Sequence, residues 1–87
     1  MNTIGTKYEI HITSKFKSDY KKIKKQGKNI FLLRKVILLL ADKKDLPIKY
    51  KNHYLKNSKK YIDCCECHIE ADWLLVYKYV DDKLQLK

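Results

Sequence analysis

An apolar run near the end of the chain constrains the fold more than any other feature. Between Trp73 and Val80 almost every residue is aromatic, β-branched or leucine. This composition predicts a strand buried in the middle of a sheet. His68, Glu70 and Asp72 stand just before the run. Titratable side chains therefore lie at the mouth of a rigid strand, where functional groups are commonly held.

The length and the cysteines limit the class of protein. The chain has 87 residues, 45% of them hydrophobic, which is enough for one core. It has no apolar run of about 18 residues that could span a membrane, and its N-terminus has no basic region followed by an apolar one. Its cysteines, Cys64, Cys65 and Cys67, are too close in sequence to link distant segments. We therefore expect one domain over residues 1–87 in the reducing cytoplasm.

The charge points to a class of partner. Twenty Lys and Arg residues against ten Asp and Glu residues give a net charge of +10, and Arg34 is the only arginine. Such an excess predicts attraction to polyanions through counterion release. An AT-rich coding sequence would also produce many lysines, so composition alone leaves both explanations open.

Hydrophobic periodicity predicts one strand and two helices in the first half of the chain. Residues 8–12 alternate as a strand does. Apolar residues at i, i+4 and i+7 then predict a helix capped by Thr13 or Ser14 and ended by Gly27. A second, more apolar helix is predicted over residues 30–40, capped by Asn29. The short connection predicts a helical hairpin.

The second half of the chain predicts a loop followed by strands. Residues 42–60 are predicted to form a long loop, and strands are predicted at 61–69, at 73–80 and from residue 83 onward. The predicted fold class is α+β with the order β-α-α-β-β-β. The helical hairpin would pack on one face of a small antiparallel sheet, and the opposite face would be basic.

His53 and His68 are the candidate acid and base groups. Imidazole can accept and donate a proton near neutral pH, and RNA cleavage needs both a general base and a general acid. A nearby carboxylate at Asp72, an aromatic ring at Trp73 and many lysines would complete such a site. In the plainer interpretation, which spacing alone favours, the histidines are surface residues and Trp73 is a core anchor.

A metal centre at the cysteines is not favoured. Period two places Cys64, Glu66 and His68 on one face of the predicted second strand, and Cys65, Cys67 and Ile69 on the other. Structural zinc sites usually take paired cysteines from turns, so this spacing fits poorly. We expect no metal and no cofactor.

Two segments carry a family resemblance. KNHYLK at residues 51–56 and ECHIEADWLLVY at residues 66–77 resemble the YafQ branch of the RelE-like toxins. That family's pattern is K-D-H-x-L-x-G followed by R-E-C-H-I-x-P-D-W-L-L-I-Y. The resemblance implies a bacterial type II toxin that cuts mRNA on the ribosome and is neutralised by a cognate, acidic antitoxin, with no membrane involved.

The resemblance also implies roles for single residues. His53, His68 and Asp72 match catalytic positions of the family. The implied RNA-binding set comprises Trp73, Lys51, Lys56 and Lys78.

The chain departs from the family pattern in several places. Asn52 replaces an aspartate, and Ala71 replaces a proline. The sequence ends at Lys87, where the family's R-T-G-S-H segment, with an arginine and a third histidine, would begin. Two expectations follow. Either the sequence is shortened, or the chain is an impaired toxin that acts as an antitoxin-binding or RNA-binding module.

Overall fold

Two helices and a five-stranded sheet make up the described part of the protein. The computed structural model describes residues 7–56 and 58–87. The elements in chain order are β1 (Glu9–Ile12), α1 (Ser14–Lys25), α2 (Ile30–Ala41), a 3₁₀ helix (Ile48–Tyr50), β2 (His53–Tyr54), β3 (Cys65–Glu70), β4 (Trp73–Val80) and β5 (Lys83–Leu86). This arrangement confirms the predicted α+β class. Over the described ranges, neither helix has the length and apolarity needed to cross a bilayer.

The helix ends lie where the capping residues predict them. The Thr13 hydroxyl accepts a hydrogen bond from the Phe16 amide at 3.1 Å, and the Asn29 side chain accepts one from Leu32 at 3.2 Å. Gly27, with φ of +74°, follows the last turn of α1. Its amide and that of Lys28 donate back to carbonyls of that turn. This pairing is a Schellman motif, which needs a residue that tolerates positive φ.

The sheet is mixed rather than wholly antiparallel. Its strand order is β1-β5-β4-β3-β2. The predicted antiparallel pairing holds for β3 with β4 and for β4 with β5. The strand β2, which was not predicted, also pairs antiparallel with β3, whereas β1 runs parallel to β5. Parallel neighbours need a long crossover connection. The helical hairpin and the strands that follow it supply that crossover. No local pattern in residues 8–12 could show which strand β1 would meet.

The core lies between the helices and one face of the sheet. One face of α2 is buried in this core, where Leu33, Val36, Ile37 and Leu40 are at most 3% exposed. Alternate residues of the strands pack against this face of α2. They are Cys67, Ile69, Trp73, Leu75, Tyr77, Leu84 and Leu86. β4 pairs on both sides, so it is the central strand that its composition predicts.

The predicted loop contains structure of its own. The 3₁₀ helix ends at Tyr50, which is 2% exposed and anchors the segment in the core. β2 follows and adds an edge strand beside β3. The prediction that the next strand starts at residue 61 is wrong. β3 begins at Cys65, after a turn in which Asp63 adopts a φ of +57°.

Candidate active site

Strand pairing places two histidines and a glutamate together. His53 on β2 lies opposite Glu66 on β3, and its Nε2 atom is 3.4 Å from a carboxylate oxygen of Glu66. His68 stands two residues further along β3, so its side chain is on the same face as Glu66. The ring centroids of His53 and His68 are 6.2 Å apart. These three residues are called the histidine cluster below.

The backbone before β2 orients the first histidine. Lys51 ends the 3₁₀ helix with a φ of +47°, a left-handed conformation that L-residues rarely adopt. Its carbonyl lies 2.7 Å from Nδ1 of His53 and can only accept a hydrogen bond, so Nδ1 carries the proton. Asn52 accepts a hydrogen bond from the buried Tyr77 hydroxyl. These two hydrogen bonds hold β2 in place. A left-handed backbone conformation such as that of Lys51 is common at functional sites.

The cluster lies on the face of the sheet that the helices leave open. Cys67 and Ile69, the neighbours of His68 in β3, point into the core and are at most 4% exposed. Burial raises the pKa of the Cys67 thiol to about 12, which leaves it protonated and unreactive at neutral pH. A register irregularity lies between His68 and Glu70. Such bulges re-aim side chains and are frequent beside active sites.

The three lysines of the predicted RNA-binding set lie around this face. Lys51 and Lys56 flank β2 and are exposed. Lys78 on β4 alternates with the core-facing Tyr77 and Tyr79, so its side chain points to the open face. Their positions are compatible with the predicted contacts to phosphate, which stay predictions.

Trp73 and Asp72 are not brought to the histidine cluster. Trp73 is 5% exposed and packs in the core, with Lys28 Nζ 5.7 Å from its ring centroid. A base-stacking role does not fit this buried ring, and the core-anchor interpretation does. Asp72 lies in the turn between β3 and β4 and lines a cleft with Asp19 and Lys22 of α1. A catalytic role for Asp72 therefore stays a prediction.

The expected basic sheet face is not observed. The described strands carry two lysines, Lys78 and Lys83, against three glutamates, Glu9, Glu66 and Glu70. The positive charge is instead concentrated in α1 and in the segment around β2.

Glu66 is the member of the histidine cluster to which the sequence analysis gave no role. Alternation along β3 indicated that Glu66 and His68 share a face, but His53 was placed in a loop, and only the β2–β3 pairing brings all three together. Their potential ligand atoms lie within 4.8 Å of one another, so the cluster could hold a metal ion. Imidazole nitrogen and carboxylate oxygen suit several divalent metals.

The comparisons with known proteins agree on one family. Residues 8–87 match the model of YafQ, a bacterial toxin of type II toxin-antitoxin systems. The mRNA interferase toxin YafQ of Escherichia coli strain B / BL21-DE3 is 35% identical over 91% of this chain and 85% of its own length. A copper-bound mutant toxin from Helicobacter pylori superposes with a TM-score of 0.86 at 34% identity, covering 92% of this chain and 89% of that one. The E. coli DinJ-YafQ toxin-antitoxin complex gives a TM-score of 0.81 at 30% identity, covering 92% and 87%.

Proposed function

We propose, from the premise that the chain belongs to the YafQ family of bacterial type II toxins, that it cleaves mRNA on the ribosome. We also propose that it acts in the cytoplasm and is neutralised by a cognate antitoxin, as the complex of its E. coli relative suggests. The histidine cluster is the observation that supports catalysis by this chain. It gathers two imidazoles and a carboxylate on an open surface that an RNA strand can reach.

The reaction would be an in-line attack of a ribose 2′-hydroxyl on the adjacent phosphate. One group removes the proton of the hydroxyl, and another protonates the leaving 5′-oxygen. With centroids 6.2 Å apart, the rings of His53 and His68 can both reach the oxygens of a phosphodiester placed between them. Lys51, Lys56 and Lys78 would stabilise the negative charge that grows in the transition state.

The contacts of His53 suggest how the two roles divide. Both of its ring nitrogens face oxygen acceptors, the Lys51 carbonyl and the Glu66 carboxylate. A doubly protonated ring can donate to both. We therefore assign His53 to the proton donor or fixed positive charge, and His68 to the general base. Glu66 would hold the His53 ring in place.

Primer extension on a translated message tests the proposal. Induced protein should produce new 5′ ends, and His53→Ala and His68→Ala should each lower cleavage by about a hundredfold or more, because each removes a general acid or base. The assay should be repeated with a chelator, since a metal ion such as the copper bound by the H. pylori relative would occupy both histidines.

The outcome separates two candidates. Cleavage that is equal in the parent and in both alanine variants would move the chemistry away from the histidine cluster. No cleavage and no growth arrest, together with retained binding of the antitoxin, would instead support the alternative. In that case the chain would be an impaired toxin that works as a binding module.

A further inference from the structure

Helix α1 carries a lysine surface along its whole length, and the proposed RNA cleavage at the histidine cluster does not use it. Six of the twelve residues from Ser14 to Lys25 are lysines, and Asp19 is the only acidic residue among them. Every one of those lysines is exposed. This lysine surface consists of Lys15, Lys17, Lys21, Lys22, Lys24 and Lys25.

The lysine surface is separated from the histidine cluster by the sheet. The apolar side of α1, with Phe16 at 8% exposure and with Tyr20 and Ile23, packs against the core. That core contacts the sheet through Cys67 and its neighbours, whereas His68 alternates with Cys67 and points the other way. A single short RNA segment in the cluster would therefore not reach α1.

Most of this charge is left without a protein partner. Within residues 7–56 and 58–87, the acidic groups within 4 Å of a lysine nitrogen are Asp19, which pairs with Lys15 at 2.8 Å, and Asp42, which pairs with Lys44. Lys17, Lys21 and Lys25 follow one another at i and i+4, where like charges destabilise a helix. An external polyanion would remove this repulsion.

The chemistry of the surface favours a phosphate backbone over a protein. The large hydrophobic residues that are exposed in the described ranges include Phe31 and Leu38 on α2 but none on α1. Protein interfaces favour aromatic residues and arginine and disfavour lysine. Lysine acts as a point charge without the planar fork that reads bases, so it suits contacts to phosphate that carry no sequence information.

We propose that the lysine surface of α1 binds the phosphate backbone of structured RNA, separately from the histidine cluster. From Lys17 to Lys25 the helix rises about 12 Å. That length spans about three or four phosphates along one strand of a duplex. The protein would thus contact two RNA segments on opposite sides of its sheet, one at the cluster and one at α1.

Binding of a twenty-base-pair RNA duplex, followed by fluorescence anisotropy at several salt concentrations, tests this inference. The variant Lys17→Gln/Lys21→Gln/Lys24→Gln should bind about tenfold or more weakly at moderate salt, and the slope of log K against log salt should fall by about 2 to 3. Glutamine is chosen because its helix propensity is close to that of lysine. The corresponding triple arginine variant keeps the charge and should bind like the parent protein.

Matched controls decide whether α1 itself is responsible. Lys35→Gln/Lys44→Gln/Lys59→Gln removes the same charge from exposed positions outside α1 and should have a clearly smaller effect. Equal losses in the two glutamine variants would overturn the inference, because net charge alone would then explain binding. Loss of binding to an acidic antitoxin with unchanged RNA affinity would assign the surface to a protein instead. His53→Ala/His68→Ala should bind the duplex normally, so a failure of the proposed catalysis leaves this test intact.

Discussion

The two faces of the central strands differ as much as any two regions of this molecule. On β3, Cys67 is fully buried against the helices, while its neighbours Glu66 and His68 are only partly buried and face outward. On β4, Leu75 is 4% exposed and Leu74 is 46% exposed. Because side chains alternate along a strand, β3 and β4 each contribute side chains to the core on one face and to the open surface on the other. The core face fixes the backbone, and the open face uses that rigidity to hold its titratable groups.

Two adjacent leucines offer the largest and most direct contrast. Leu75→Ala should lower the free energy of unfolding by about 2–5 kcal/mol, because it leaves a cavity in the core. Leu74→Ala removes the same atoms from the opposite face and should cost well under half as much. Urea denaturation followed by tryptophan fluorescence would measure both. Similar losses in the two variants would mean that the open face is packed against a partner in solution.

Alkaline pH should act through the core face. Burial raises the pKa of Cys67 from 9.0 to about 12 and that of Tyr79 from 10.0 to about 12. Above the unfolded values the unfolded chain loses protons that the folded chain retains. These two groups therefore leave the free energy of unfolding unchanged well below pH 9. As the pH rises toward 12 the free energy of unfolding should fall, by about 1.4 kcal/mol per pH unit for each group once the pH exceeds its unfolded pKa.

A matched variant isolates one of these groups. Cys67→Ala should make the decline between pH 9 and 12 shallower, even though the cavity lowers stability at every pH. Thermal denaturation at a series of pH values would give both the baseline and the slope. An unchanged slope would show that Cys67 ionises freely in the folded protein.

Substitutions on the open face should have the smallest effect on stability. His68→Gln and Glu66→Gln should each change the free energy of unfolding by no more than about 0.5 kcal/mol, since neither side chain packs in the core. Glu66→Gln should nevertheless lower cleavage, because it loosens the His53 ring. Chemical denaturation and primer extension on the same samples would test this separation. A loss of stability that matches the loss of cleavage would contradict it.

Much of the fold could be predicted because its signals are local. The caps at Thr13 and Asn29, the stop at Gly27 and the composition of β4 act within a few residues, and each is found where it was expected. The parallel pairing of β1 with β5 was not predicted, since it joins residues more than seventy positions apart. β2 was missed because two residues are too few to show any period.

The candidate site divides in the same way. The sequence by itself determined the family, the central strand, and the two histidines as the groups suited to proton transfer. Only the tertiary structure decided that His53 stands opposite Glu66, that Trp73 is in the core and that the lysines gather on α1 rather than on the sheet. The physical reason is that residue type and spacing set local conformation, whereas strand pairing and burial set which distant side chains share a surface.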